Sequence, residues 1–137
     1  MPAKTPPTQK RLRIAVFNNS APVLNMLCQW LEQHGDHCST ALLADMRQAH
    51  EEVGRFIEKH RPDVVIYDVG MPYPSSWDLW EVIRMSPALQ SQRFVITTPN
   101  KRKLEHAVGA TSAIEIGLDT DLRRVLKAVE AAQSVGA

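Results

Sequence analysis

Apolar residues along the chain fall into short blocks divided by polar, glycine- or proline-containing breaks, and two kinds of block alternate. Residues 12–17 (LRIAVF) form a β-branched run that reads as a strand, broken by Asn18, Asn19 and Ser20, with Ser20 suited to cap a helix. Val23, Leu24, Leu27, Trp30, Leu31 and His34 then recur at three- and four-residue spacing, the stripe of an amphipathic helix ending before Gly35. Residues 37–43 read as a second strand. Asp45 is the expected cap of a second helix carrying Met46, Ala49, Val53, Phe56 and Ile57, which Pro62 stops. Val64, Val65, Ile66 and Tyr67 are too short a run for a helix and read as a strand buried on both faces, ending at Asp68. Residues 71–76 (MPYPSS) read as a turn, and Trp77, Leu79, Trp80 and Ile83 as a third helix closed by Ser86 and Pro87. Residues 94–98 (FVITT) are a fourth strand, 100–108 a short helix and 113–116 a fifth strand. Leu122, Val125, Leu126 and Val129 mark the last helix.

Five strands alternating with five helices imply a mostly parallel sheet covered on both faces, because parallel neighbours need right-handed crossover connections. The class is doubly wound α/β. Residues 1–10, with three prolines, two lysines and almost nothing apolar, are expected to be a disordered arm; residues 11–133 form the domain and 134–137 a tail. A chain of 137 residues, 44% hydrophobic, suits one domain.

Sixteen Lys and Arg against fifteen Asp and Glu leave a net charge of +1, so nucleic acid and anionic membrane are not the expected partners. The N-terminus has no apolar signal-peptide core and no run approaches a membrane span, which leads to a cytoplasmic expectation. Cys28 and Cys38 are expected to be reduced thiols. His34, His37 and Cys38 match no zinc spacing, and a strand would turn His37 and Cys38 to opposite faces.

Chemistry in such a sheet gathers where the loops after the first, third and fourth strands meet. Those loops begin with Asn18 and Asn19, with Asp68, and with Thr97 and Thr98. An Asp in that place is either a turn former or the centre of a ligand site. No glycine-rich phosphate loop, no nucleophile with a paired His and no metal cluster accompanies it, so no enzyme chemistry and no catalytic residue is expected.

The run Asp68-Val69-Gly70-Met71-Pro72, with Ile83-Arg84 further along the next helix, Thr98 closing the fourth strand and Gly109-Ala110 before the fifth, resembles the receiver domains of bacterial two-component response regulators. The resemblance covers residues 11–131. It implies a flavodoxin-like (βα)5 fold with strand order 2-1-3-4-5. Asp68 would stand at the phosphoacceptor position, Gly70 at a backbone metal-ligand position and Thr98 at the switch-hydroxyl position. The expected partners are a histidine kinase, a phosphotransfer protein or another signalling protein, and a homodimer is compatible with the family.

The chain departs from that pattern where the chemistry is most demanding. Asn18 and Asn19 stand at the acidic-pair positions, so three carboxylates fall to one and Mg²⁺, which favours anionic oxygens, is expected to bind weakly or not at all. With no neighbouring carboxylate to raise its pKa, Asp68 is expected to be ionised at neutral pH. Ile116 occupies the lysine position, Pro99 follows Thr98 where a small residue is usual, and Ala113 replaces the switch aromatic. The resulting expectation is a stand-alone atypical receiver, a pseudo-receiver acting by protein contact. Two alternatives stay open: phosphorylation of Asp68 by a histidine kinase, and a small flavodoxin-like enzyme or ligand-binding domain. Lys101, Arg102 and Lys103, with Arg123 and Arg124, form candidate basic surface, and Trp77 is a candidate contact residue.

Overall fold

The computed structural model describes residues 11–46, 48–118 and 122–135. The expected arm lies outside them, as do residues 136 and 137 of the expected tail, whereas residues 134 and 135 still belong to the last helix.

The strands are β1 (Arg13–Asn18), β2 (His37–Leu42), β3 (Val64–Asp68), β4 (Arg93–Thr98) and β5 (Ile114–Glu115). All pairings are parallel and the order is β2-β1-β3-β4-β5, the topology expected from the sequence. The helices are α1 (Ala21–Gln33), α2 (Ala49–His60), α3 (Tyr73–Arg84), the single turn α4 (Pro87–Gln90), α5 (Lys101–Val108) and α6 (Arg123–Val135).

Side chains alternate across the central strands and divide the core in two. Ile14, Val16, Val64, Ile66 and Val95 pack with Val23, Leu24, Leu27 and Leu31 of α1 and Val125 and Val129 of α6. Ala15, Phe17, Val65, Tyr67 and Ile96 face the other way, onto Val53 and Ile57 of α2, Trp80 and Ile83 of α3 and Leu104 of α5. Every residue of β3 is buried, as its unbroken apolar run requires. Trp80 is wholly enclosed, its ring 4.5 Å from Tyr67 and 4.9 Å from Phe94 between centroids.

Ser20 caps α1 through its hydroxyl, which accepts from the Val23 amide at 3.3 Å. Five expectations differ in detail. Asn18 ends β1 instead of opening the turn. Asp45 lies in a 3₁₀ turn, Leu43–Asp45, and α2 begins at Ala49, where Glu52 reaches back to the Gln48 amide at 2.9 Å. The turn after Asp68 is shorter, because Pro74 within the first turn of α3 favours helix and draws residues 73–76 into it. His34 is no part of the α1 stripe. It caps the helix with its ring exposed, Nδ1 2.8 Å from the Trp30 carbonyl.

The fifth strand has only two residues, and the amides that precede it are bound by side chains. Glu105 accepts from the Thr111 amide at 2.7 Å and the Thr111 hydroxyl accepts from the Ala113 amide at 3.2 Å. At the other end of α5, Asn100 caps the Lys103 amide at 3.0 Å, and Glu115 of β5 accepts from the Lys101 amide at 2.9 Å.

Candidate functional site

Asp68 is the last residue of β3 and is 7% exposed. Its register partner in β4 is Thr97, and paired residues of parallel strands project to the same side. Thr97 Oγ1 donates to Asp68 Oδ1 at 2.8 Å. Thr98, expected as the switch hydroxyl, does not meet Asp68: alternation turns it to the opposite face of the sheet, where its buried hydroxyl neighbours the Tyr73 phenol. On that face stands Tyr73, the first residue of α3, whose phenol is raised in pKa by burial and then by the charge of Asp68. The sequence reading placed Thr97 at the sheet edge beside Thr98, chose Thr98 for the hydroxyl position, and gave Tyr73 no role. The start of β4 at Arg93, one residue before the run FVITT, is what aligns Thr97 with Asp68; Pro74 was the available signal that Tyr73 opens a helix.

Burial lifts the Asp68 carboxyl to about 6, against a partial lowering by the Thr97 bond. The lift comes without a neighbouring acid, because the sheet itself removes water. The group is still mainly ionised at neutral pH.

Asn18 is buried on the same face, and its Oδ1 accepts from the Ser20 amide at 2.9 Å. Asn19 is exposed at the cavity rim. Gly70 has room for a Cβ, which would meet Asp68 Oδ2 at 3.7 Å, so no steric demand holds glycine there. Two cavities flank the carboxylate. One, of about 280 Å³, runs over Asn18, Asn19, Ser20, Val23, Asp68, Gly70, Met71, Pro99 and Ile116. The other, of about 390 Å³, lies between Tyr67, Asp68, Asn19 and Gly70 and the residues Leu43, Ala44, Met46, Ala49, Ser76 and Leu79. The structure thus brings Asp68, Asn18, Asn19, Gly70 and Ile116 around one cavity, and leaves Thr98 behind the sheet.

These residues do not fit a magnesium ion. Asp68 is the single carboxylate lining either cavity, and the Asn18 oxygen is already engaged by the Ser20 amide. A hard divalent ion prefers several anionic oxygens in octahedral arrangement. No cation of the chain replaces it either: among the described residues none pairs with Asp68, and Ile116 presents a buried apolar wall.

Elsewhere, Trp77, on α3, is half-buried and packs against the core with part of its ring still exposed. Arg102 and Lys103 are exposed and, with Asn100 and His106, line a cavity of about 460 Å³; Arg123 and Arg124 are exposed on α6. His37 is exposed while Cys38 is buried, so the two point apart. Cys28 Sγ lies 3.9 Å from the Cys38 carbonyl; both thiols are free, and burial pushes that of Cys38 up. No described helix is long and apolar enough to cross a membrane.

No protein-family model matches the sequence, and no curated protein matches it. Solved structures do. A Vibrio cholerae chemotaxis protein, CheY4, is 22% identical, with a TM-score of 0.63 over 90% of this chain and 99% of its own. The N-terminal domain of a response regulator receiver protein from Methanoculleus marisnigri JR1 is 21% identical, with a TM-score of 0.58 over 88% and 94%. A sensor protein from Polaromonas sp. JS666 is 15% identical, with a TM-score of 0.72 over 93% and 100%. The chain has the CheY-like fold of response regulator receiver domains, with Asp68 at the end of its central strand.

Proposed function

We propose that the protein is a receiver-type module of two-component signalling that works by protein–protein contact, with Mg²⁺-dependent phosphorylation of Asp68 weak or absent. The observation that carries this reading is the isolation of Asp68: one buried carboxylate, with amides at the acidic-pair positions and Ile116 where a cation would stand. Phosphoryl transfer to a carboxylate relies on positioning and on neutralising charge. Here an incoming dianionic phosphoryl group would meet an anion with nothing to offset the repulsion. Its partners are then a histidine kinase, a phosphotransfer protein or another signalling protein, and the protein itself is no enzyme.

Treatment with a small phosphodonor, or with beryllofluoride and Mg²⁺, tests the reading. The expected result is no Asp68-dependent change in intact mass or in the amide NMR spectrum; robust modification lost in Asp68→Asn would overturn it. That outcome would favour the second reading, phosphorylation by a histidine kinase, which has one observation behind it: Asp68 borders both cavities and keeps Oδ2 free of any hydrogen bond among the described residues.

A further inference from the structure

Among the described residues no cation pairs with Asp68, and a cavity of about 280 Å³ opens beside it. Oδ1 accepts from Thr97, and Oδ2 takes no hydrogen bond among the described residues, so Oδ2 is the more open acceptor. Around it stand Val23, Met71, Pro99 and Ile116, four apolar side chains, with the Asn19 amide at the rim. A buried carboxylate without a partner is costly, and a cation that enters this cavity relieves the cost.

The chemistry narrows the cation. An anion is repelled by Asp68, and a divalent metal lacks ligands, as shown above. A guanidinium is a planar fork that favours both oxygens of a carboxylate side by side, and here Oδ1 is already shared with Thr97, which makes the fork the poorer fit. An ammonium is a compact point charge whose three donors can be met by a carboxylate oxygen, an amide oxygen and water, and its methylene stem suits the apolar walls.

We propose that the cavity beside Asp68 binds a primary alkylammonium group, carried by a lysine side chain of a partner protein or by a small aliphatic amine. The proposal rests on the reading that Asp68 is not a metal-loaded phosphoacceptor, and it specifies what the site takes instead. The ion that Ile116 excludes from this chain would be supplied from outside.

The test uses the full-length ¹⁵N-labelled protein at constant ionic strength, without metal or phosphodonor. It is titrated separately with N-acetyl-lysine methylamide, the norleucine counterpart that lacks the amino group, and n-butylamine. The expected result is saturable movement of the Val69, Gly70 and Ile116 amides with both amines, and none with the norleucine compound. Tighter binding of the lysine compound than of butylamine assigns the source to a protein side chain; the reverse order assigns it to a free amine. Two variants, each checked for a folded spectrum, complete the test. Asp68→Asn removes the charge, and Ile116→Lys supplies an internal ammonium; each is expected to weaken amine binding by at least about tenfold. Equal shifts with the norleucine compound, no shift with either amine, or undiminished binding in Ile116→Lys would overturn the proposal. A positive beryllofluoride result would sink the functional reading while leaving this titration to stand or fall separately.

Discussion

Asp68 and Thr97, the ends of two neighbouring parallel strands, are joined side chain to side chain by a 2.8 Å hydrogen bond in a site that water scarcely reaches. The bond satisfies one carboxylate oxygen and leaves the charge uncompensated. Most of the behaviour expected of this site follows from that imbalance.

The first consequence is a pH-dependent stability. The Asp68 pKa is raised from 3.8 to about 6 by burial, above its value in the unfolded chain. Folding therefore favours the protonated form: the group opposes folding least at low pH, stability falls as pH rises between those two values, and it is level above them. Asp68→Asn keeps an acceptor for Thr97 and removes the charge. Urea denaturation at pH 4 to 7 should show little difference from the parent at pH 4 and a variant more stable by roughly 1–3 kcal/mol at pH 7. A gap that does not change with pH would show that Asp68 is not desolvated.

The second concerns which threonine matters. Thr97→Val deletes the donor, so the Asp68 carboxyl should titrate above the parent value in a ¹³C NMR experiment, with a loss of about 1–3 kcal/mol from the unsatisfied oxygen. Thr98→Val acts on the other side of the sheet and should leave the Asp68 titration in place. Interchanged results would restore Thr98 as the functional hydroxyl.

Restoring the acids tests the missing metal. Asn18 and Asn19 border the same cavity as Asp68. Replacing both with Asp should raise Mg²⁺ affinity by calorimetry at least about tenfold, since each close unit charge contributes about 1 to 4 kcal/mol of attraction. Unchanged affinity would mean that the new carboxylates turn away from the site.

Trp80 and Trp77 separate core from periphery. Trp80→Ala opens a hole between Tyr67 and Phe94 and should cost about 3–5 kcal/mol in chemical denaturation. Trp77, half-buried at the edge of the same cluster, should cost clearly less when truncated. Similar losses would place both rings in the core.

Periodicity was enough to reach the architecture. The apolar run Val64–Tyr67 identified the central strand, and the stripe from Val23 to Leu31 identified α1, because those residues are buried for reasons local to the pattern. What pattern could not reach depended on pairing between distant segments. Which of two adjacent threonines meets Asp68 is decided by register across the sheet, and a shift of one residue changes the face. The raised pKa of Asp68 depends on enclosure by neighbouring elements, so the local absence of acids was a poor guide. Asp45 looked like a helix cap, but the chain spends it in a 3₁₀ turn before α2. Ile116, beyond the end of β5, lines the same cavity as Asp68.

The two glutamates that bracket α5 have a kinetic consequence. Glu115 holds the amide at the start of the helix and Glu105 the amide of Thr111 beyond its end, so the segment from Lys101 to Glu115 is closed on itself by carboxylates. Amides of such a clasp exchange hydrogen with solvent only when it opens, and opening at one end loosens the other. Lys101 and Thr111 should therefore exchange together, on one clock.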